Sequence, residues 1–384
     1  MIDEPAAPAE VLAAIRAPFA ALKATAIDPP VIQPLSLLLD LAGEAMRARL
    51  YIVQGEGDAE ACLRPDFTIP VTRAHIASGE APCRYTYEGK AFRAAPADSN
   101  RAREFLQLGL EAFGEGRDPA VDGEVAALAW RAAAAGGRDD LSLVMGDVAL
   151  FATFIDALGL AAPLAARLKR VFSRPRALHH ELSRDHDAVR PARQGDRISA
   201  LLSGLPEGEA TAVLEDLWGI AGIAPVGGRT AAEIVHRLVQ RSEAAHAPRL
   251  TEAEAMLVRE FLEISDRPPA ALAKVAALAK RGKVDLDAAL EGWARRLSVI
   301  MGSGVTEAQM TLSTGFGRAF GYYDGFLFEV HSTALGDWAS VAGGGRYDSL
   351  PARLGGKAPS STGGGAVGCM VRPMRAWAGS EHGL

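Results

Sequence analysis

Cysteine is scarce in this chain of 384 residues: Cys62, Cys83 and Cys369 form an odd, widely spaced set. That excludes a disulfide framework and a CxxC metal pair. The opening Met1-Ile-Asp-Glu-Pro5 has neither a basic segment nor an apolar one, so no secretory signal is read. No apolar run approaches the roughly 20 residues of a membrane-spanning helix. Positive charge is not in excess either: 41 Lys and Arg stand against 47 Asp and Glu, a formal net charge of -6. Proteins that grip a large RNA surface usually carry a basic field, because neutralising phosphates supplies much of the affinity. The acidic balance therefore argues against a nucleic-acid partner. No repeat of solenoid period is present. A soluble cytoplasmic protein is expected, with no cofactor, no metal and no membrane contact.

What is present is an ordinary globular balance, 49% hydrophobic and 23% charged, with length enough for two full cores. Apolar residues at helical spacing (Val11, Leu12, Ile15, Phe19, Leu22) predict a helix over residues 8–24, broken by Asp28-Pro29-Pro30. Residues 31–34 read as a short edge strand leading into a Leu-rich helix over 35–48. Strand chemistry follows at 50–53, 84–93 and 104–113, then a helix over 119–136, a strand at 141–145 and a helix near 147–159. From 161 to 281 strand signals vanish, and short amphipathic helices alternate with Gly and Pro breaks: 164–172, 197–202, 210–218, 230–244, 251–264 and 269–281. The expectation is a helical insertion at 161–281 within a core made of 1–160 and 282–384. A helix at 286–301 returns the chain to strands at 310–314 and 322–331. The last sixty residues are glycine-rich and end in a short segment around 372–377.

Alternation along residues 103–111 puts Leu106, Leu108 and Leu110 on one face of a strand and Phe105, Gln107, Gly109 and Glu111 on the other. The leucines suit a core. The opposite face offers an amide and a carboxylate on either side of a glycine, with room for a ligand. A half-exposed strand with solvated polar residues fits the same pattern. The preceding strand, joined by a loop over 94–102, makes the pair an antiparallel hairpin ending in Phe92-Arg93.

At this hairpin the sequence resembles motif 2 of class II aminoacyl-tRNA synthetases, and the histidyl type in particular. Arg101-Ala-Arg103-Glu-Phe105-Leu-Gln107-Leu-Gly109-Leu-Glu111 keeps that family's whole Arg-x-Arg-x-Phe-x-Gln-x-Gly-x-Glu spacing. Leu63-Arg-Pro-Asp66-Phe-Thr68 matches Leu-Arg-Pro-Glu-x-Thr. Arg318-Ala-Phe-Gly-Tyr322-Tyr323-Asp-Gly-Phe-Leu-Phe-Glu329 and Ala342-Gly-Gly-Gly-Arg-Tyr347-Asp348 match the two histidine-specific segments. The resemblance implies an α+β fold, an antiparallel sheet flanked by helices, and a histidine-sized pocket. In it Asp66 and Glu111 would receive the α-ammonium, with Gln107 and Thr68 beside them. Arg93 and Arg318 would face the carboxylate, and Tyr322, Tyr323 and Tyr347 would bound the imidazole. Each tyrosine alone also fits core packing. A zwitterion needs anions and cations a few ångströms apart, and buried charge must be paired.

The nucleotide end departs from the synthetase pattern. Motif 2 normally carries a glutamate where Ala95 stands; motif 3 normally ends Gly-x-Glu-Arg, whereas Gly368-Cys-Met-Val-Arg372 lacks the glutamate and places its arginine one residue late. The histidine-specific aspartate is Gly321. Arg101 and Arg103 remain as phosphate-contacting remnants. A synthetase also continues into an anticodon-binding domain, for which no residues remain here. A kept amino-acid pocket with a degraded ATP site resembles the regulatory subunits of short-form ATP phosphoribosyltransferase, whose Arg-Pro-Asp-x-Thr variant this chain shares. That resemblance implies a non-catalytic chain that activates the catalytic subunit and transmits feedback inhibition by histidine. It also implies a homodimeric unit, through residues 31–34, within a hetero-octamer. The competing expectation is a truncated histidyl-tRNA synthetase paralogue that still activates an amino acid; a tRNA-binding module is disfavoured by charge.

Other motifs carry less. Gly315-x-Gly317-x-x-x-Gly321 leads into strand residues rather than the helix a dinucleotide loop requires. The clusters at Gly343–Gly345 and Gly363–Gly365 lack a P-loop ending and suit close backbone approach beside the pocket. His179, His180 and His186 have no cysteine or carboxylate frame for a metal.

Overall fold

The computed structural model describes residues 4–42, 44–54, 60–79, 81–96, 99, 101–183, 205, 207–221, 249–317, 321–336, 339–357 and 364–380. Two compact units are present, one made of Met1–Leu158 and Leu257–Leu384, the other of Gly159–Met256. The larger is built on a nine-stranded sheet. Its strands are β1 (Thr25–Ala26), β5 (Cys83–Phe92), β6 (Glu104–Phe113), β7 (Leu141–Asp147), β8 (Ser265–Asp266), β9 (Met310–Ser313), β10 (Phe326–Ser332), β11 (Ser340–Arg346) and β12 (Ala366–Val371), in the spatial order β1-β5-β6-β12-β11-β10-β7-β9-β8. The run from β5 to β7 is antiparallel throughout. A small second sheet pairs β2 (Ile32–Pro34), β4 (Glu60–Leu63) and β3 (Ile52–Gln54). The expected α+β class with an antiparallel sheet flanked by helices is what is observed.

Helices cover the sheet where the sequence supplies apolar faces and caps. α1 (Ala9–Ala20) buries Ile15 and Phe19; α2 is Leu35–Ala42 and α3 is Thr68–Ala77. α4 (Pro119–Ala134) starts with proline at its first position, and the Asp118 carboxylate accepts from the Ala120 amide at 3.0 Å. Both devices favour a helix N-terminus. Its buried face, with Val125, Leu128 and Trp130, packs on β10, β11 and β12. The smaller unit contains the helices Ala162–Val171, Pro175–Leu182 and Glu207–Ala221. The helices expected at 197–202 and 230–244 lie outside the described residues.

Several expectations are corrected. Strand signals do not vanish across 161–281: β8 pairs antiparallel with β9. A two-residue strand has no periodicity to read and exists because its partner does. The strand expected from Tyr322 begins at Phe326. Before it, Asp324 accepts the backbone N–H groups of Asp348 and Ser349 at 2.9 and 2.7 Å, which holds Tyr322–Gly325 as a turn. The Leu-rich helix stops at Ala42 and gives way to a 3-10 segment, Glu44–Arg49. The glycine-rich C-terminal region supplies two central strands, β11 and β12, where no strand was read.

Candidate functional site

The register of four strands assembles the site. Tyr87 on β5 faces Gly109 on β6, Gly109 faces Met370 on β12, and Met370 faces Gly343 on β11. One rung up, Glu111 is flanked by Tyr85 and Gly368. A cavity of about 320 Å³, counted to its mouth, opens above these rungs. It is lined by Asp66, Thr68, Tyr87, Arg93, Gln107, Glu111, Tyr322 and Tyr323, with Gly343, Gly368, Cys369 and Met370 as its floor.

Glycines on the floor make room for the polar side chains. A Cβ at Gly368 would be driven into the Glu111 carboxylate, and one at Gly109 into the Tyr87 hydroxyl. Glu111 and Gln107 are each 1% exposed, which rules out a solvated strand face. The leucine face is buried at Leu108 and Leu110, while Leu106 is half-buried. Phe105, on the cavity face, joins the hydrophobic cluster instead.

Glu111 accepts from the Thr68 hydroxyl at 2.9 Å and from the Tyr347 hydroxyl. Burial pushes its carboxyl up from 4.5 to about 8; those hydroxyls pull it back, and the nearby Asp66 raises it further. Tyr322 donates to Asp66 at 3.1 Å. Tyr322 and Tyr323 lie 4.7 Å apart between ring centres, and each meets Tyr347 edge-on. Tyr347 stands behind Glu111 and serves as its donor. Tyr87 stacks on Phe67 at 4.3 Å and donates to the Cys369 carbonyl at 3.3 Å.

Arg93 follows β5 directly. Its backbone amide donates to the Arg103 carbonyl at 2.8 Å and its Nε to the Pro65 carbonyl at 2.9 Å. Its guanidinium is deep among protein atoms although part of its surface is exposed; burial lowers it to about 10, with Asp66 acting the other way. Both amide atoms of Gln107 are buried with no hydrogen-bond partner among the described residues. A buried amide left unsatisfied costs about 1–3 kcal/mol, so such a group marks a place where a ligand partner is needed.

Of the residues singled out in the sequence, Asp66, Thr68, Arg93, Gln107, Glu111, Tyr322 and Tyr323 converge on the cavity, with Tyr347 one layer behind. Arg318 lies outside the described residues. Arg101 is exposed, and Arg103 donates to the Ala95 and Pro96 carbonyls of its own loop at 3.3 Å. Arg372 does not line the cavity; it pairs with Glu4 and packs 3.9 Å over Phe105. Tyr87 and the β12 floor were not foreseen. The hairpin register, which sets Tyr87 opposite Gly109, was the signal for the first; the floor had none beyond its glycines. Among the described residues no cluster of three His, Cys, Asp or Glu side chains could hold a metal, and no helix is long and apolar enough to cross a membrane.

The histidyl-tRNA synthetase family model matches residues 24–215 and 210–367. A solved structure from Bacillus halodurans, titled as an ATP phosphoribosyltransferase regulatory subunit/histidyl-tRNA synthetase, superposes with a TM-score of 0.62 at 18% identity, covering 98% of this chain and 81% of that one. Histidyl-tRNA synthetase from Nostoc superposes at 0.58 and 16% identity, over 95% and 69% of the two chains. These likenesses show the fold. Curated relatives go further: the ATP phosphoribosyltransferase regulatory subunit of Brucella anthropi is 33% identical over 347 residues, 90% of this chain and 91% of its own. That of Brucella canis is 34% identical over 344 residues, 89% and 90% of the two. With a synthetase-type core and relatives matched along nearly their whole length, the chain belongs to the family of ATP phosphoribosyltransferase regulatory subunits.

Proposed function

We propose that this chain binds histidine in the cavity and regulates a catalytic ATP phosphoribosyltransferase subunit, activating it and conferring feedback inhibition. The observation that carries the reading is the unpartnered Gln107 amide in a cavity that Asp66, Glu111 and Arg93 also line. Two carboxyl groups and a cation around a small cavity match an α-amino acid whose ammonium draws the Glu111 proton off, and the tyrosine walls suit a flat ring. Feedback then requires that histidine favour one of two states of the assembly, its differential affinity setting the size of the effect.

The chain acts without catalysis in this reading. Ala95 and Gly321 replace groups a synthetase uses, and Arg372 is committed to Glu4. A homodimer within a hetero-octamer is part of the proposal; the exposed Val31, Ile32 and Ile52 on or beside the small sheet support an apolar contact there.

Reconstitution tests it. The purified chain is mixed with the short catalytic subunit from the same organism, and turnover of ATP with phosphoribosyl pyrophosphate is followed with and without histidine. Activation that histidine suppresses is expected. No complex and no effect would overturn the regulatory reading, and histidine-dependent pyrophosphate exchange by the chain alone would return it to the truncated-enzyme class.

A further inference from the structure

Asp324 does not line the cavity; it is half-buried in the turn that leads into β10. Its hydrogen bonds nevertheless run to the stretch that carries Tyr347. The Asp324 carboxylate accepts the backbone N–H groups of Asp348 and Ser349 at 2.9 and 2.7 Å, and its own amide donates to the Arg346 carbonyl at 3.1 Å. Gly325 lets the turn sit directly on Arg346, since a Cβ there would meet that side chain at 3.1 Å. The receiving stretch is itself anchored. The Tyr347 amide donates to the Ala366 carbonyl at 2.8 Å, Asp348 accepts the Ala366 amide at 2.9 Å, and the Arg346 guanidinium donates to Asp122 and to the Gly116 carbonyl at 2.7 and 2.8 Å. Asp324 thus ties a turn to a fixed strand end.

Each of the two tied stretches carries a tyrosine whose hydroxyl reaches one carboxyl group of the cavity. Tyr322, two residues before Asp324, donates to Asp66 at 3.1 Å. Tyr347, one residue before Asp348, donates to Glu111. The ring of Tyr323 lies against both, 4.7 Å from Tyr322 and 6.3 Å from Tyr347 between centres. Hydrogen bonds weaken steeply as their angle closes, so a small shift of either stretch would withdraw its donor.

We infer that Asp324 is a positioning residue of the cavity: it locks the Tyr322–Tyr323 turn to the Tyr347 stretch, so that both hydroxyls stay on Asp66 and Glu111. The inference rests on the histidine reading of that cavity. What loss of the tie does follows from the groups that face Glu111. The hydroxyls of Tyr347, Thr68 and Tyr87 make it easier to ionise, Asp66 makes it harder, and the Cys369 thiol lies close enough to feel its charge. Of these only Tyr347 stands on a stretch that Asp324 holds. Without that donor the Glu111 carboxyl keeps its proton to higher pH, and the penalty on binding an ammonium is largest below the pH at which Glu111 ionises.

Calorimetric titration of the full chain with histidine at pH 7 and pH 9 tests this. Asp324→Ala should bind about tenfold more weakly than wild type at pH 7, the low end of what a hydrogen bond to an ionised carboxylate is worth. The gap should narrow at pH 9, where Glu111 ionises with less help. Asp324→Asn keeps one acceptor oxygen and should fall between the two. It also keeps the test open if Asp324→Ala does not fold: in a Tyr347→Phe background its effect should shrink, because the hydroxyl it places is gone. A loss equal at both pH values, a loss undiminished in Tyr347→Phe, or unchanged affinity overturns the inference and leaves the histidine reading standing. A wild-type chain that binds no histidine overturns that reading, and the role of Asp324 falls with it.

Discussion

Gln107 and Glu111 carry opposite costs in the empty protein, and each can be measured. The Gln107 amide is desolvated without a partner, so Gln107→Met should raise the melting temperature of the ligand-free chain by a few degrees, from relief of about 1–3 kcal/mol. The same change should weaken histidine binding at least tenfold; a variant that loses stability instead would show the amide to be structural. Glu111 titrates near 8 in the fold against 4.5 ordinarily. A carboxyl raised in this way keeps its proton in the folded state, so stability is fully present below about 4.5 and falls as pH rises towards 8. The pH dependence of melting should flatten over that window in Glu111→Gln. An arriving ammonium favours the ionised carboxylate, so histidine binding at pH 7 should release close to one proton. Calorimetry in two buffers of different ionisation enthalpy reads that number directly, and equal heats would remove Glu111 from the ammonium site.

Among the elements, the β5–β6 hairpin is the most legible part of the site. Period-two alternation in 104–113 separates Gln107 and Glu111 from the leucines, because a strand buried on both faces still divides its polar residues by parity. β11 and β12 were illegible for the converse reason: Gly343, Gly344, Gly345 and Gly368 have no side chains to alternate, and their strands are defined by partners distant in sequence. Tyr87 is different: its meaning depends on facing Gly109, which the hairpin register sets. The tightest test of the assembled register is Gly368→Ala. Its methyl would collide with Glu111 and with the Leu110 carbonyl, costing about 1–3 kcal/mol as overpacking does. Urea denaturation should show that loss together with abolished histidine binding, while Gly302→Ala, which meets nothing within 4 Å, should change neither.

The core of the larger unit is held by contacts between segments far apart in the chain. Asp122 on α4, wholly buried, accepts from Arg296 at 2.8 Å and from Arg346 at 2.7 Å, residues 174 and 224 positions away. Asp348 takes a further Arg346 donor at 3.1 Å. No local pattern announces such a network, since its members read as ordinary surface charges until the chain closes. Asp122→Ala would leave the buried Arg346 and the half-buried Arg296 short of their partner, and the denaturation midpoint should report a loss of about 3–5 kcal/mol. The cavity depends on the same closure. Its walls come from residues 66–68, 87–93, 107–111, 322–323, 343 and 368–370, so it exists only when both ends of the larger unit are in place. Any molecule that occupies it therefore rewards the whole folded unit, by about 2.7 kcal/mol at a hundredfold excess over its dissociation constant. Proteases, which cut the opened chain, would then respond to the concentration of that molecule, and the lifetime of the protein would rise and fall with its ligand.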